Sequence, residues 1–138
     1  MAYDKTLPEP DERTEPYWRA AKEHKLAFQR CQHCGYYNHP PTVVCPGCNN
    51  PEPSFEFEAV SGKGKLTGWT IMRDAFLPGF AEDLPFVIAM VEFPEQEGLR
   101  IVAKLLDGPE ASLRLGAPIQ IVFEDVTPEV TLPQIKLA

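Results

Sequence analysis

The chain is short of the side chains on which most catalysis is built. Its 138 residues hold three histidines and four cysteines. The histidines, His24, His33 and His39, all lie in the N-terminal third, and every cysteine falls between positions 31 and 48. No cysteine is left over as a nucleophile. Neither a Ser-x-x-Lys nor a Gly-x-Ser-x-Gly motif occurs. Isolated carboxylates such as Asp74 and Glu124 read as solvated groups. These gaps argue against self-contained catalysis, and no catalytic residue is assigned.

Positive charge is also scarce. Thirteen Lys and Arg stand against 20 Asp and Glu, for a formal net charge of −7. Residues 1–58 carry six basic and nine acidic residues (−3), and residues 59–138 carry seven and eleven (−4). Neither half has the basic excess that drives nucleic-acid binding. There is no apolar run of about 18 residues, so no membrane span is expected. Met1 to Lys5 leads into an acidic, proline-containing segment without the apolar stretch of a signal peptide. A cytoplasmic protein with reduced thiols is the expectation.

The cysteines that are present form one constellation. Cys31-Gln32-His33-Cys34-Gly35 is followed by Cys45-Pro46-Gly47-Cys48-Asn49, with ten residues between Cys34 and Cys45. Two Cys-x-x-Cys turns can aim four thiolates at one centre, and a tetrahedral sulfur set suits Zn²⁺. Gly35 and Asn49 follow each pair, where a left-handed backbone closes the turn. Cys31, Cys34, Cys45 and Cys48 are therefore the predicted ligands of one structural zinc. Iron in a rubredoxin-like site uses the same four sulfurs. Disulfides need an oxidising compartment, and a redox Cys-x-x-Cys is usually single. His33 and His39 are nearby alternative ligands, read as surface or packing residues. Four cysteines close the coordination sphere, so the site is structural.

Fifteen prolines in this length imply short elements and many turns. Thr14 can cap a helix over about residues 14–24, with Glu15 and Pro16 in its first turn. Its aromatic pair, Tyr17 and Trp18, reads either as packing on the rest of the protein or as part of a partner interface. Leu26 to Arg30 enters the first knuckle as a strand. Tyr36 to Val44 connects the knuckles, with Pro40-Pro41 at its turn. So small a unit buries too little to stand without metal.

From Phe55 the pattern becomes strand-like, with Phe55, Phe57 and Ala59 alternating against Glu56 and Glu58. Ser61 to Gly64 reads as a turn or bulge. Strands follow over Leu66–Met72, Phe86–Phe93, Leu99–Leu106, Pro118–Glu124 and Val130–Leu137. Residues 74–84 form a loop, and Ala111–Leu115 reads as a helical turn. The expected architecture is mostly β. It comprises an arm and N-terminal helix (1–25), a four-cysteine rubredoxin-like zinc ribbon (26–54) and a five-stranded OB-fold barrel (55–138). A small sandwich or SH3-like barrel is the alternative for the last part.

This order of motifs resembles a known family. The carrying residues are Leu26 to Gly35, Pro40-Pro41, Cys45-Pro46-Gly47-Cys48, Ser61 to Leu66 with Trp69-Thr70, Pro85 to Val91, Glu97 to Arg100, and Leu115 to Ile119. Across about Pro8 to Lys136 they are similar to the OB-fold, acyl-CoA-associated zinc-ribbon proteins, domain of unknown function thirty-five. The resemblance implies a non-catalytic accessory subunit. Its expected partners are thiolase-like enzymes, including thiolases, acyl-CoA synthases and side-chain aldolases of steroid metabolism, in some cases with a hot-dog-fold hydratase. It implies that the barrel helps hold an acyl-CoA. The candidate contacts for partner or acyl-CoA are Tyr17, Trp18, Phe76 and Phe80, with Lys63, Lys65, Arg73 and Arg100 for CoA phosphates. Two other readings compete: a single-stranded nucleic-acid-binding OB-fold, which the acidic charge opposes, and a stand-alone acyl-CoA enzyme, which lacks a constellation.

Overall fold

In a computed structural model, residues 3–138 are described. A short helix α1 (Glu15–Lys22) precedes strands β1 (Ala27–Cys31), β2 (Tyr37–Asn38) and β3 (Phe55–Ala59). Strands β4 (Lys63–Met72), β5 (Phe86–Glu92), β6 (Arg100–Leu105), β7 (Pro118–Asp125) and β8 (Thr131–Leu137) follow, with a 3₁₀ turn at Ala81–Asp83. The first three strands make a small antiparallel sheet in the order β2-β1-β3. The last five close into a barrel in the order β4-β5-β6-β8-β7. All barrel pairs are antiparallel except β6 with β8. That order, with one parallel pair, is the five-stranded OB-fold, and closure leaves the barrel no free edge.

Alternation builds the barrel core. Val87, Ala89 and Val91 of β5 are fully buried, as are Leu66, Leu105, Ile119 and Ile135 from the other four strands. The ribbon shares this core. Phe28 of β1 is fully buried and its ring lies 5.7 Å from that of Phe93, which follows β5. Leu26, Tyr17 and Tyr37 join the same cluster. A second tie runs from the helix end: His24 Nε2 lies 3.0 Å from Asp125 Oδ1, and its ring stacks on Phe123 at 5.3 Å.

Three local expectations need correction. Phe55–Ala59, read as the opening of the barrel, pairs instead with β1, with Gln29 opposite Phe57. Alternation is the same in either sheet, so the pattern could not say which neighbour the strand takes. Ala111–Leu115 is not helical. It lies between Gly108 and Gly116, both with positive φ, and five residues are too few to offset helix nucleation. Thr14 does occupy the N-cap position but makes no side-chain cap bond. Asp11 does that work one turn earlier: its Oδ1 accepts from the N–H of Arg13 (2.9 Å) and of Thr14 (2.8 Å), while Thr14 Oγ1 accepts from Asp11 N–H.

Candidate metal centre and contact surfaces

Two tight turns bring the four sulfurs together. In each, the residue after the second cysteine donates back to the first: Gly35 N–H to Cys31 O and Asn49 N–H to Cys45 O, both 2.8 Å. Both residues have positive φ, +79° and +54°. Gly47 is required for a different reason. A Cβ there would sit 2.8 Å from Tyr36 Cβ and 3.2 Å from Cys34 Sγ. The knuckles can only close on one another where that side chain is missing.

The Sγ atoms of Cys31, Cys34, Cys45 and Cys48 all lie within 4.8 Å of one another. Cys34 and Cys45 are 3.5 Å apart, and Cys31 and Cys48 3.9 Å. Zinc–sulfur bonds of about 2.3 Å in a tetrahedron put sulfurs about 3.8 Å apart, so the set fits. Its electrostatics point the same way. Burial opposes a thiolate at Cys31, but the N–H groups of Cys34 and His33, with the sulfurs of Cys45 and Cys34, outweigh it and bring the pKa down to about 6. At Cys34 the Tyr36 N–H favours the thiolate. Burial and the crowding of Cys45, Cys31 and Cys48 overcome it and push the pKa up to about 12. Four thiolates at this spacing need a cation among them. Bound there, a divalent ion would cross-link the knuckles without offering an open position to substrate. His33 is exposed and His39 is not a member of the set.

His39 instead packs between Tyr17 (5.1 Å) and Phe28 (4.8 Å), and burial lowers its pKa to about 4. Tyr17 is correspondingly a core residue, 9% exposed, stacked on Phe28 at 6.2 Å. Burial pushes its hydroxyl up to about 12. Tyr17, a candidate partner contact, is thus largely taken up by the core and also lines the groove beside Trp18. Trp18 is half-buried, edge-on to Tyr17 at 5.0 Å, and lines a groove of about 250 Å³ with Pro40, Pro41 and Val102.

The four candidate cations do not form one site. Lys65 lies opposite Glu92, and Glu92 opposite Arg100, so the three stand in a row across β4, β5 and β6. Arg100 Nε donates to Glu92 Oε1 at 2.9 Å, and neither Lys65 nor Lys63 has an ion-pair partner among the described residues. Lys63 and Lys65 line a hollow of about 500 Å³ with Glu92, Phe93, Pro94 and Glu97. Arg73 lies past the far end of β4, on the order of 30 Å from Lys63 along an extended strand. Phe76 is 87% exposed, next to Leu77 at 55%. Phe80 is half-buried against Phe86, and Lys5 of the arm lies over its ring, held by Asp83 at 3.0 Å. The 3–6 arm thus runs along a groove of about 610 Å³ that also takes in Ile88, Val102 and Lys104.

Residues 18–54 match the model of the ChsH2 rubredoxin-like zinc ribbon domain, and residues 57–124 that of the ChsH2 C-terminal OB-fold domain. A DUF35 domain-containing scaffold protein of Pyrococcus furiosus is 32% identical over 112 residues, covering 80% of this chain and 77% of that one. The chain belongs to the DUF35 family of ChsH2 type. A second DUF35 domain-containing scaffold protein, from Methanothermobacter thermautotrophicus, is 27% identical, covering 81% and 82%. A probable enoyl-CoA hydratase alpha subunit of Thermomonospora curvata is 32% identical over 129 residues, or 91% of this chain. This DUF35 chain spans only 38% of that relative. Among solved structures, a chain of the Ltp2-ChsH2(DUF35) aldolase superposes with a TM-score of 0.82 and 27% identity, over 95% of this chain and 98% of that one. A DUF35 protein of Sulfolobus solfataricus, 17% identical with a TM-score of 0.60 over 92% of this chain and 86% of that one, shares the fold. The family settles the character of the four-cysteine unit as a structural metal site of the zinc-ribbon type.

Two structural ties escaped sequence reasoning. His24 and Asp125 are 101 residues apart, and no local pattern links them. Gln96, whose side chain bonds the backbone of Tyr37, sits in an ordinary-looking turn.

Proposed function

We propose that this chain is an accessory subunit that holds one structural zinc and docks on a thiolase-like enzyme, where it helps retain an acyl-CoA. The observation that carries this reading is the likeness over 95% of the chain to a subunit of the Ltp2-ChsH2(DUF35) aldolase. The DUF35 scaffold relatives support an accessory role, and the relative named as an enoyl-CoA hydratase alpha subunit supports a setting in acyl-CoA chemistry. The chemistry agrees. The one set of His, Cys, Asp or Glu side chains among the described residues placed to share a metal ion is the four cysteines. The exposed apolar loop at Phe76 and Leu77 offers an anchor for a partner surface. Lys63 and Lys65, facing the hollow by Pro94, are the cations best placed for a CoA phosphate, and Arg73 stands apart from them. Four unpaired thiols suit the cytoplasm, where thiols stay reduced.

Co-expression with a thiolase-like enzyme of acyl-CoA metabolism tests this reading. The expected result is a stable complex by size-exclusion chromatography and no thioester turnover by the isolated chain. Turnover by the chain alone would remove the accessory reading.

A further inference from the structure

The two edges of the ribbon sheet are treated differently. At the β2 edge, Tyr37 N–H and C=O point away from β1, and the Gln96 side chain satisfies both at 2.8 Å. At the β3 edge no such cover exists among the described residues.

The register fixes which groups are open there. Val60 N–H donates to Leu26 O and Gln32 N–H to Ser54 O, each 2.8 Å. These pairs flank the ladder, so the even residues of β3 bond inward to β1. Phe55, Phe57 and Ala59 then aim their N–H and C=O groups outward, a three-residue template for another strand. On the two faces of that strand, Glu56 and Glu58 alternate with Phe55, Phe57 and Ala59. Glu58 is engaged by Arg30 at 3.1 Å and Gln32 at 3.1 Å. Glu56 is exposed and has no ion-pair partner among the described residues.

We infer that β3 is a strand-addition site for an extended segment of a partner protein with apolar and basic residues in alternation. The inference rests on the accessory reading for there being a protein partner. The edge supplies the backbone bonds. The acidic face selects a Lys or Arg opposite Glu56. A second copy of this chain is the wrong occupant. Antiparallel self-pairing through the outward groups sets odd residues opposite odd ones. Every register that overlaps three or more strand residues then opposes Glu56 or Glu58 with another glutamate, which is unfavourable.

The probe is a synthetic peptide of alternating valine and lysine, titrated into the zinc-loaded full chain and followed by amide resonances. The expected result is saturable shifts and slowed exchange at Phe55, Phe57 and Ala59. Binding should be at least tenfold weaker for the valine–glutamate peptide, and for a peptide N-methylated on its bonding edge. Glu56→Gln should abolish the charge preference and, because Arg30 lies opposite on β1, is used in place of a charge reversal so that the fold is not loaded with like charges. Absence of saturable shifts at those amides, or equal binding of acidic and basic peptides, overturns the proposal. Concentration-dependent protection of the same amides without peptide overturns the partner assignment in favour of a second copy. Exchange in the co-expressed enzyme complex separates the two readings. A complex that leaves the three amides unprotected defeats the strand-addition site and leaves the accessory role standing. If no complex forms, the accessory role fails, and the peptide titration alone decides the edge.

Discussion

The side chain of Gln96 pairs with the backbone of Tyr37 as a neighbouring strand would, accepting from its N–H and donating to its C=O at 2.8 Å each. Gln96 lies between β5 and β6, so this pair is a polar bond between barrel and ribbon, beside the apolar contact of Phe28 with Phe93. Tyr37 is buried, and its backbone groups have no other partner within the sheet. Gln96→Ala should therefore cost about 1–3 kcal/mol, the penalty for orphaning buried polar groups. Gln96→Glu keeps the acceptor but loses the donor to Tyr37 O, and should fall between. Chemical denaturation measures both. A loss below about 0.5 kcal/mol for Gln96→Ala would show that water takes over the bonds.

The metal holds what the shared core does not. Protein purified without added metal should carry about one zinc per chain by elemental analysis, and Cys34→Ser should lose it. Metal binding contributes on the order of 10 kcal/mol in isolated zinc units. Here the observable loss should be local, because Phe28 and Tyr37 remain fixed to the barrel core. Amide exchange should rise around residues 32–50 while the barrel strands stay protected. Gly47→Ala should also weaken the site, since a Cβ there meets Tyr36 at 2.8 Å. Faster zinc release to a chelator is the readout. Neither zinc nor iron in the purified protein, with four titratable thiols, would contradict the assignment.

His39 sets a pH window. Burial drops its pKa from the usual 6.5 to about 4, so the folded protein keeps the ring neutral where the unfolded chain protonates it. Between those values the unfolded state binds more protons. Stability therefore rises with pH across about 4 to 6.5 and is lost as pH falls through that range. About 2.5 pKa units correspond to roughly 3 kcal/mol. Asp125, whose carboxylate is held down first by Thr131 Oγ1 and then by His24, adds acid sensitivity lower still, around and below the usual carboxylate range. His39→Phe should flatten the melting temperature between pH 6.5 and 4 and leave zinc content alone. An unchanged slope would place the titration elsewhere.

Legibility in the sequence followed the range of the interaction. The cysteine turns are local, and Gly35 and Asn49 announce their own backbone conformation, so spacing alone identified the centre. The barrel strands likewise declare themselves by alternation, as in Val87, Ala89 and Val91. Strand β3 declared itself as a strand but not its sheet, because Phe-Glu-Phe-Glu reads identically whichever sheet it joins. Tyr17 and Trp18 are adjacent and chemically alike, yet a helix turns the first onto Phe28 and leaves the second half-exposed. Without tertiary register neither could be assigned. The four cations were chosen by charge type, and only strand pairing shows that Lys63 and Lys65 share a hollow while Arg73 does not.

That difference between aromatics gives the last prediction. Phe76 is 87% exposed, whereas Trp18 is packed against the core. An exposed large apolar side chain on a protruding loop contributes little to the fold and much to an interface that covers it. Phe76→Ser should leave the melting temperature within about 1 °C and weaken the complex with the enzyme partner by about 2 kcal/mol, some thirtyfold in affinity. Trp18→Ala should behave in the opposite sense. It should lower the melting temperature by several degrees through lost packing on Tyr17 and the Pro40-Pro41 turn, with a smaller effect on affinity. Scanning calorimetry and titration calorimetry on both variants separate the two outcomes. If Trp18→Ala abolishes the complex while the fold keeps its stability, the partner sits on helix α1 and the groove beside it, and the Phe76 loop is not the anchor.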